Sequence, residues 1–553
     1  KRMNTTANPI PHAAANAYSY PLLIKQLLHT ALVQAPTQEI VYASYSRYTY
    51  TDFYARIQRQ ANMLTALGVG MGDTVAVMDW DSHRYLEAYF AVPMMGSVLF
   101  NVNVRLSPDQ ILYTINHARP KVLLVNAEFL SVVEGIRDQM ESVETVILLN
   151  DGEALDPAAV GCQGEYEALL AASADHYDFP DFDENTRATT FYTTGTTGLP
   201  KGVFFSHRQL VLHSLSVMAG LGTAAGHGRL HNEDVYMPIT PMFHVHAWGV
   251  PYIATMMGIK QVYPGRYLPE VLLRLIEKEK VTLSQCVPTI LHMLLSHPVG
   301  RDMDLSKLKM VIGGSALTQG LAKQALSRGL DVFVGYGMSE TCPILTIAHL
   351  NTEELKGDLD AQIPLRIKTG QAIPLVNLRI VDGDMSDLPH NNKRTGEVVV
   401  RAPWLTQGYL HNPEASAELW ESGYLHTNDI GMMDERGTLQ ITDRLKDVIK
   451  TGGEWISSLE LESMLTSHPA VNECAVVAVP DEKWGERPLA LVVLNPEAGE
   501  VTVEMLREHM MGFVAEGHIS RWAVPEQIRF VEALTRTSVG KLNKRALREQ
   551  YTS

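Results

Sequence analysis

The sequence predicts an α/β protein: a large N-terminal domain of α/β subdomains plus a β-rich subdomain, followed by a small α+β C-terminal domain. Three observations lead to this fold class. Amphipathic runs alternate with short β-branched runs over residues 20–150, which favours a mainly parallel sheet flanked by helices. From about Asn377, strand patterns are joined by turns that contain Gly and Asn, which indicates antiparallel pairing. The remaining residues carry a mixed pattern of their own, with a boundary near 444–447.

The first part of the chain supplies the α/β pattern. Its hydrophobic periods predict helices over 50–67 and 83–95, and strands over 73–78, 121–125 and 145–149. Further along, the same alternation predicts strands over 235–239, 281–287, 308–312 and 331–334. Several of these strands end in glycines or polar residues. Because ligands of open α/β sheets bind beyond the carboxyl ends of the strands, these ends are candidate site positions.

The C-terminal part is predicted from shorter elements. Antiparallel strands are expected over 376–382, 397–401 and 438–442, followed by strands over 475–479, 489–494 and 527–531 and a helix over 503–511. Ser457 and Glu460 have the spacing of a capping box that opens a helix. We therefore expect an N-terminal domain over 1–443 and a C-terminal domain over 444–553.

Composition narrows the class of protein. The 553 residues include 46 basic and 62 acidic side chains, a net charge of −16, and no basic tract stands out. This balance argues against a nucleic-acid partner. The four cysteines are widely spaced and lack zinc spacing, which favours a reducing cytoplasm. We recognise no secretory signal and no apolar run of the ~20 residues that a spanning helix needs. Peripheral membrane contact stays open.

Residues 193–202 form the most informative stretch. An apolar run over 188–192 leads in as a strand, and a helix-like run over 206–213 follows. Glycines let backbone N–H groups approach a ligand, and hydroxyls and a lysine add further donors, so the loop suits phosphate. It is not a Walker A loop, because Pro200 and Gly202 break that spacing. The candidate phosphate ligands are Thr193, Thr194, Gly195, Thr196, Thr197 and Lys201. A flexible polar surface turn is the alternative.

This Thr-rich loop ending in Pro-Lys-Gly resembles the signature of the adenylate-forming superfamily, which includes acyl-CoA synthetases, adenylation domains and firefly-type luciferases. The segment 335–341 is similar to the superfamily's Tyr-Gly-x-Thr-Glu element. The resemblance implies that Tyr336 packs on adenine, that Gly337, Met338 and Ser339 contact the nucleotide, and that Glu340, with Thr196, binds Mg²⁺. A carboxylate beside hydroxyls at a strand end suits Mg²⁺, whose shell is completed by phosphate and water. A strand-to-loop turn with a solvated glutamate is the alternative.

Two further segments of the large domain resemble the family. The glycine-rich turn 311–317 lacks the second glycine of a nucleophile elbow, and the resemblance places Gly314 and Ser315 beside adenine. The segment 241–248 looks like the family's Pro-x-Phe-His element. By that resemblance, His244 lines the acyl–phosphate junction, Trp248 is a gate of the acyl site, and Gly337 also borders the substrate. An ordinary core tryptophan is the alternative for Trp248.

The boundary region carries four more candidates. A carboxylate and an arginine can both bond to a ribose. The resemblance casts Asp429 and Arg444 as ribose ligands, Lys446 as the inter-domain hinge and Lys450 as a lysine of the second half-reaction. Asn428 stands where the family commonly has glycine, and we expect it to keep the same turn because asparagine tolerates positive φ.

The last segments point to thioester chemistry. Residues 452–457 and 483–488 resemble the fatty-acyl branch, and they place Gly453, Glu454 and Trp455 near the CoA thiol tunnel. Aromatic–charged packing between domains is the alternative. The loop 534–541 resembles the family's Gly-Lys loop, with Lys541 as the catalytic lysine and Thr535 where proline is common.

All of these segments occur in family order, so the resemblance implies an ATP-dependent fatty-acid:CoA ligase with a mobile C-terminal domain. ATP, Mg²⁺ and CoA are the expected cofactors and co-substrates, and a homodimer is implied by some relatives. Three alternatives stay open. They are a ligase for another small carboxylate such as a methylthio or aryl acid, an adenylating enzyme that loads a carrier protein, and a nucleotide-binding module without activity.

Overall fold

The computed structural model describes residues 9–193, 199–451, 454–537 and 540–552, without the side chains of Glu454 and Trp455. Two mainly parallel sheets build the large domain. One runs, in spatial order, through Gln371–Ala372, Ile344–Ile347, Asp331–Gly337, Lys309–Ile312, Leu283–Cys286, Val235–Tyr236, Lys260–Tyr263, Glu39–Tyr42 and Ser46–Thr49. The other runs through Gly164–Glu165, Thr145–Leu149, Val122–Asn126, Thr74–Met78, Val98–Asn101, Arg187–Thr193 and Lys201–Ser206. Antiparallel strands occur at their edges.

Two smaller sheets follow. The antiparallel subdomain contains Asn377–Val381, Gly396–Arg401, Leu425–Met433 and Leu439–Arg444. The C-terminal sheet is ordered Glu454–Ile456, Ile449–Thr451, Gly485–Leu494 and Val471–Asp481, with Gln527–Phe530 added parallel to Gly485–Leu494. The predicted change from parallel to antiparallel pairing is confirmed.

Helices cover the sheets. They span His29–Gln34, Tyr50–Ala66, His83–Met94, Pro108–Ala118, Leu130–Ile136, Tyr166–Ala171, His207–Gly222, Val250–Met257, Pro269–Glu279, Pro288–Ser296, Gln319–Ser327, Leu359–Arg366, Pro413–Leu419, Ser458–Thr466, Val503–Ala515 and Lys544–Tyr551. Polar N-caps begin several of them: Thr49 forms a capping box with Asp52, and Ser457 accepts from the Glu460 N–H. Within the described ranges, none of the helices has the length and apolarity that crossing a bilayer requires.

Two predictions about the fold were wrong. The glycine-rich loop is followed by the strand Lys201–Ser206, and only then by the helix His207–Gly222. Lys201–Ser206 pairs antiparallel with Arg187–Thr193. The loop therefore connects the two strands of a hairpin, and not a strand with a helix as predicted. The strand predicted over 235–239 ends at Tyr236, because Pro238 has no N–H to continue the ladder.

Candidate nucleotide and acyl site

Polar side chains from two sheets meet near the carboxyl end of the strand Asp331–Gly337. The Tyr336 hydroxyl donates to Asp429 Oδ2 at 2.6 Å, so the parallel sheet is bonded to the antiparallel subdomain. Asp429 and Arg444 are direct partners on neighbouring strands, which places a carboxylate beside a guanidinium. Burial raises the pKa of Asp429, and the Arg444 charge opposes that rise. Asn428 has φ of 58°, so the expected positive-φ turn is confirmed.

The turn after this strand depends on a close backbone approach. A Cβ on Gly337 would lie 1.7 Å from the Pro343 carbonyl oxygen, so no side chain fits there. Thr341 accepts from the Met338 N–H at 2.9 Å, and residues Ser339–Thr341 form a short 3₁₀ turn. The geometry fixes the backbone of 337–341 and aims Glu340 inward, where it is only 6% exposed.

Glu340 is a buried carboxylate among cations. Burial raises its pKa to about 7, while the charges of Lys541, Arg444 and Lys201 work against the rise. In the described part of the chain, no cluster of three or more His, Cys, Asp or Glu side chains could hold a metal. One buried carboxylate without such a cluster fits Mg²⁺, which takes few protein ligands and completes its shell with phosphate and water. Thr196, the other predicted ligand, lies outside the described residues.

Lys541 reaches the same cluster from the C-terminal domain. Burial and the Arg444 charge lower its pKa to about 8, and Asp429 and Glu340 act in the opposite direction. A Cβ on Gly314 would lie 3.6 Å from Lys541 Cε, so the glycine leaves room for the lysine stem. Gly314 has φ of 84°, and the neighbouring Ser315 is exposed. The structure therefore brings Lys541 together with Glu340, Asp429 and Gly314.

The phosphate-loop candidates are only partly described. Thr194, Gly195, Thr196 and Thr197 lie outside the described residues. Thr193 and Lys201 are paired at the end of the hairpin, and Lys201 Nζ lies 5.1 Å from the ring centre of Tyr409. This cation–π contact stabilises the Lys201 side chain at the end of the hairpin, next to the predicted phosphate loop. Tyr409 was missed by the sequence reasoning.

A left-handed turn follows His244. Val245, His246, Ala247 and Trp248 have φ between 40° and 60°, although none of them is glycine. Each such residue costs roughly 1–2 kcal/mol, so the turn must be held by its surroundings.

Buried hydrogen bonds anchor this turn. The Met242 N–H donates to Asp81 Oδ1 at 2.8 Å, and His246 Nε2 lies 2.8 Å from Thr189 Oγ1. Gln285 Nε2 donates to the Ala247 carbonyl at 2.8 Å. Gln285 was also missed in the sequence. The polar pair Ser284 and Gln285 inside a predicted buried strand was the signal that could have revealed it. Burial lowers the pKa of His244 to about 3, and the charges of Lys541 and Arg105 add to the effect, so His244 is neutral at pH 7.

The turn carries Trp248 into the wall of an apolar pocket. Its indole is 5% exposed, and a Cβ on Gly313 would lie 2.9 Å from Trp248 Cη2. The pocket is lined by Val217, Leu221, Leu230, Trp248, Val250, Ile253, Leu283, Ser284, Gln285, Val311, Ile344 and Ile347. An apolar pocket with few polar groups suits a hydrocarbon chain. Its lining residues come from several elements, so the sequence did not reveal them as a set.

The remaining candidates are Lys446 beside this cluster, Lys450 on the C-terminal sheet, and three residues that are described in part or not at all. Lys446 is exposed on the segment after Arg444, and desolvation and the Arg444 charge lower its pKa. Its own charge helps to lower the pKa of Lys541. Lys450 is exposed on a strand of the C-terminal sheet, where its N–H donates to Glu486 Oε2 at 2.8 Å. Gly453 is not among the described residues, and Glu454 and Trp455 are described by their backbone strand alone.

Comparison with known families identifies the class of protein that carries these features. The AMP-binding enzyme family matches residues 28–410, and the AMP-binding enzyme C-terminal domain matches residues 460–541. This chain belongs to the AMP-binding enzyme family.

Individual relatives cover nearly the whole chain. The long-chain-fatty-acid–CoA ligase of Thermus thermophilus is 43% identical over 508 residues, 91% of this chain and 90% of that protein. The 3-methylmercaptopropionyl-CoA ligase of Ruegeria lacuscaerulensis is 37% identical, over 96% of this chain and 97% of its own. The crystal structure of ATP-bound MatB from Rhodopseudomonas palustris superposes with a TM-score of 0.80 at 25% identity, covering 96% of this chain and 99% of its own.

Proposed function

We propose that this chain is an AMP-forming fatty-acid:CoA ligase. The observation that carries the proposal is that a polar cluster and an apolar pocket lie next to each other. A polar cluster of Glu340, Asp429, Arg444 and Lys541 adjoins an apolar pocket, and the segment from His244 to Trp248 lies between them. The family match and the ATP-bound relative support ATP as a substrate, and the 43% identical relative supports a fatty acid and CoA.

The reaction runs in two half-reactions. The fatty-acid carboxylate attacks the α-phosphorus of ATP, which breaks the bond to the β-phosphate oxygen and gives acyl-AMP and pyrophosphate. The CoA thiolate then attacks the acyl carbonyl, which breaks the bond to the phosphate oxygen and releases AMP. The first half-reaction brings two anions together, so positioned positive charge lowers its barrier.

Each side chain has a proposed part in the first half-reaction. Tyr336 stacks on adenine next to Gly314 and Ser315, and Asp429 and Arg444 bind the ribose. Gly337, Met338 and Ser339 line the nucleotide, and Thr193–Lys201 hold the β- and γ-phosphates. Lys541 bridges the carboxylate and the α-phosphate, and its buried ammonium is supported there by Asp429 and Glu340. Neutral His244 lines the acyl–phosphate junction.

Glu340, together with Thr196, is the proposed holder of Mg²⁺, which supplies charge neutralisation for the phosphates when bound. For the second half-reaction, we propose that the C-terminal domain turns about Lys446, withdrawing Lys541 and presenting Lys450 and the segment Gly453, Glu454 and Trp455 to CoA. The free thiols of all four cysteines support a cytoplasmic location. A homodimer is also proposed, and light scattering on the purified chain tests it.

A methylthio acid is the second candidate substrate, because the Ruegeria relative acts on one and spans 96% of this chain. A carboxylate panel from acetate to oleate, with 3-methylthiopropionate and aryl acids, separates the two. AMP release is measured with and without CoA. Highest kcat/KM on medium- or long-chain acids with CoA present supports the proposal. Preference for short or aryl acids, or AMP release that CoA does not stimulate, contradicts it.

A further inference from the structure

The hairpin that carries Lys541 is tied to one arginine. Arg536 and Leu542 form an antiparallel bridge, so Arg536 lies at the base of the hairpin. Near the tip, the Thr537 N–H donates to the Lys541 carbonyl at 2.7 Å, and the Lys541 N–H donates to Thr537 Oγ1 at 3.2 Å. The backbone position of Lys541 is therefore fixed relative to Arg536 and Thr537.

Arg536 also connects this hairpin to the large domain. Its Nη1 donates to Thr289 Oγ1 at 2.9 Å and to the Gly540 carbonyl at 3.1 Å. Its Nη2 pairs with Glu473 of the C-terminal sheet. Thr289 lies in the first turn of the helix Pro288–Ser296, which belongs to the large domain. One guanidinium thus bonds to both domains and to the residue before Lys541.

The contact lies on the side where Lys541 enters the site. Thr289 Oγ1 is 3.4 Å from the Gly540 carbonyl. Val287, two residues before Thr289, packs against Gly314, since a Cβ on Gly314 would lie 2.9 Å from Val287 Cγ1. The Lys541 side chain packs against the same glycine, since a Cβ on Gly314 would lie 3.6 Å from Lys541 Cε. A shift of the hairpin away from Thr289 would move the ammonium relative to Glu340 and Asp429.

We propose that Arg536 and Thr289 are positioning residues that hold Lys541 in place for acyl-adenylate formation and separate before thioester formation. This inference rests on the proposed function of Lys541 in the first half-reaction. Hydrogen bonds from a guanidinium are stronger than neutral ones, so the pair holds the hairpin while it is formed. The Thr289 contact crosses between domains, so a turn of the C-terminal domain breaks it without unfolding either domain.

The test compares Thr289→Val with Thr289→Ser, which keeps the hydroxyl. Carboxylate-dependent pyrophosphate release should fall about tenfold in Thr289→Val, chiefly in kcat, because a charge-assisted bond is lost. Thioester formation from supplied acyl-AMP and CoA should stay within about twofold of the unsubstituted enzyme, since that step does not use the contact. Thr289→Ser should match the unsubstituted enzyme in both. Equal loss in both half-reactions, or no loss in the first, overturns the inference.

Arg536→Met provides a second variant. It should lower pyrophosphate release at least as much as Thr289→Val and again spare thioester formation. Glu473→Gln is its control, because it removes the ion pair inside the C-terminal domain and keeps the Arg536–Thr289 contact. If Glu473→Gln lowers pyrophosphate release as much as Arg536→Met, the loss reflects the packing of the small domain and the inference falls.

Lys541→Ala in the same assays separates this inference from the proposed function. If Lys541→Ala lowers both half-reactions equally, the proposed role of Lys541 is wrong, and the positioning role falls with it. If Lys541→Ala lowers pyrophosphate release selectively and Thr289→Val does not, only the positioning role is wrong. Selective loss in both variants supports both.

Discussion

The Tyr336 hydroxyl donates to the Asp429 carboxylate at 2.6 Å, and the two residues are 93 positions apart in the chain. This bond orients the proposed ribose ligand from the strand that supplies the proposed adenine contact. Tyr336→Phe removes only the hydroxyl. We expect KM for ATP to rise about fivefold, because a buried hydrogen bond contributes about 1 kcal/mol, while KM for the fatty acid changes little.

A matched control exists on the surface. The Tyr18 hydroxyl donates to Asp181 Oδ2 at 2.8 Å in an exposed setting. Tyr18→Phe therefore removes the same kind of bond at the surface, between two residues that are not candidate site residues. Steady-state kinetics should be unchanged in Tyr18→Phe. A similar rise in KM for ATP in both variants would show that the effect does not come from Asp429.

Lys541→Ala tests the proposed bridging charge. We expect carboxylate-dependent pyrophosphate release to fall at least about a hundredfold, the usual cost of removing one transition-state contact. Thioester formation from supplied acyl-AMP should be largely spared. Lys356→Ala, on an exposed lysine that pairs with Glu353, is the control and should behave like the unsubstituted enzyme.

Glu340→Gln tests the proposed Mg²⁺ ligand. The amide keeps the shape and removes the charge, so the Mg²⁺ concentration for half-maximal ATP use should rise about tenfold or more, because one metal ligand charge is lost. Burial raises the pKa of Glu340 to about 7, so at pH 8 its charged form costs more free energy in the folded enzyme than in the unfolded chain. A neutral amide should therefore not lower the unfolding temperature. An unchanged Mg²⁺ titration would contradict the metal assignment.

Trp248→Ala tests the wall of the acyl pocket. Removing the indole opens the pocket toward Gly313, so the ratio of kcat/KM for long over medium acids should rise. Loss of a large buried side chain should also lower the free energy of unfolding by about 3–5 kcal/mol. The carboxylate panel and thermal unfolding measure the two effects. A chain-length profile equal to that of the unsubstituted enzyme would place the limiting contact elsewhere.

His213 predicts a dependence of stability on pH. It is buried, its Nε2 accepts from the Ile344 N–H at 3.1 Å, and burial lowers its pKa from 6.5 to about 3. The folded pKa is below the unfolded one, so the stabilisation is complete above about pH 6.5 and is lost as the pH falls toward 3. At pH 5 this one group should cost about 2 kcal/mol.

His213→Gln keeps an acceptor near Nε2 and cannot titrate. Unfolding free energies between pH 7.5 and 5 should therefore fall less steeply in this variant than in the unsubstituted enzyme. Buried carboxylates with raised pKa values act in the opposite direction in both proteins, so the difference between the two slopes isolates His213. Parallel slopes would mean that His213 is already protonated near pH 5.

Local sequence patterns were enough to predict much of the fold and the position of the site at the ends of strands. Period-2 and period-3.6 runs predicted the main elements, and the known tolerance of asparagine for positive φ predicted the turn at Asn428. The strand Lys201–Ser206 was missed because its pairing partner lies across a glycine-rich loop, where periodicity gives no signal.

Contacts between distant segments could not be predicted in this way. The left-handed residues 245–248 include no glycine or asparagine, so their own sequence does not predict four consecutive residues with positive φ. Thr189 and Gln285 hold them from 57 and 38 positions away. The same holds for Arg536, whose partner Thr289 is 247 residues distant.

The left-handed turn also restricts how this enzyme can change its substrate. Every residue other than glycine is strained at positive φ, so replacements at 245–248 that weaken the contacts holding the turn are disfavoured in natural variation and in design. The part of the pocket wall formed by Val217 and Leu221 carries no such restriction, because both residues lie on the regular helix His207–Gly222. Divergence in chain-length preference among homologues should therefore accumulate on that helix, while the turn stays nearly constant in sequence.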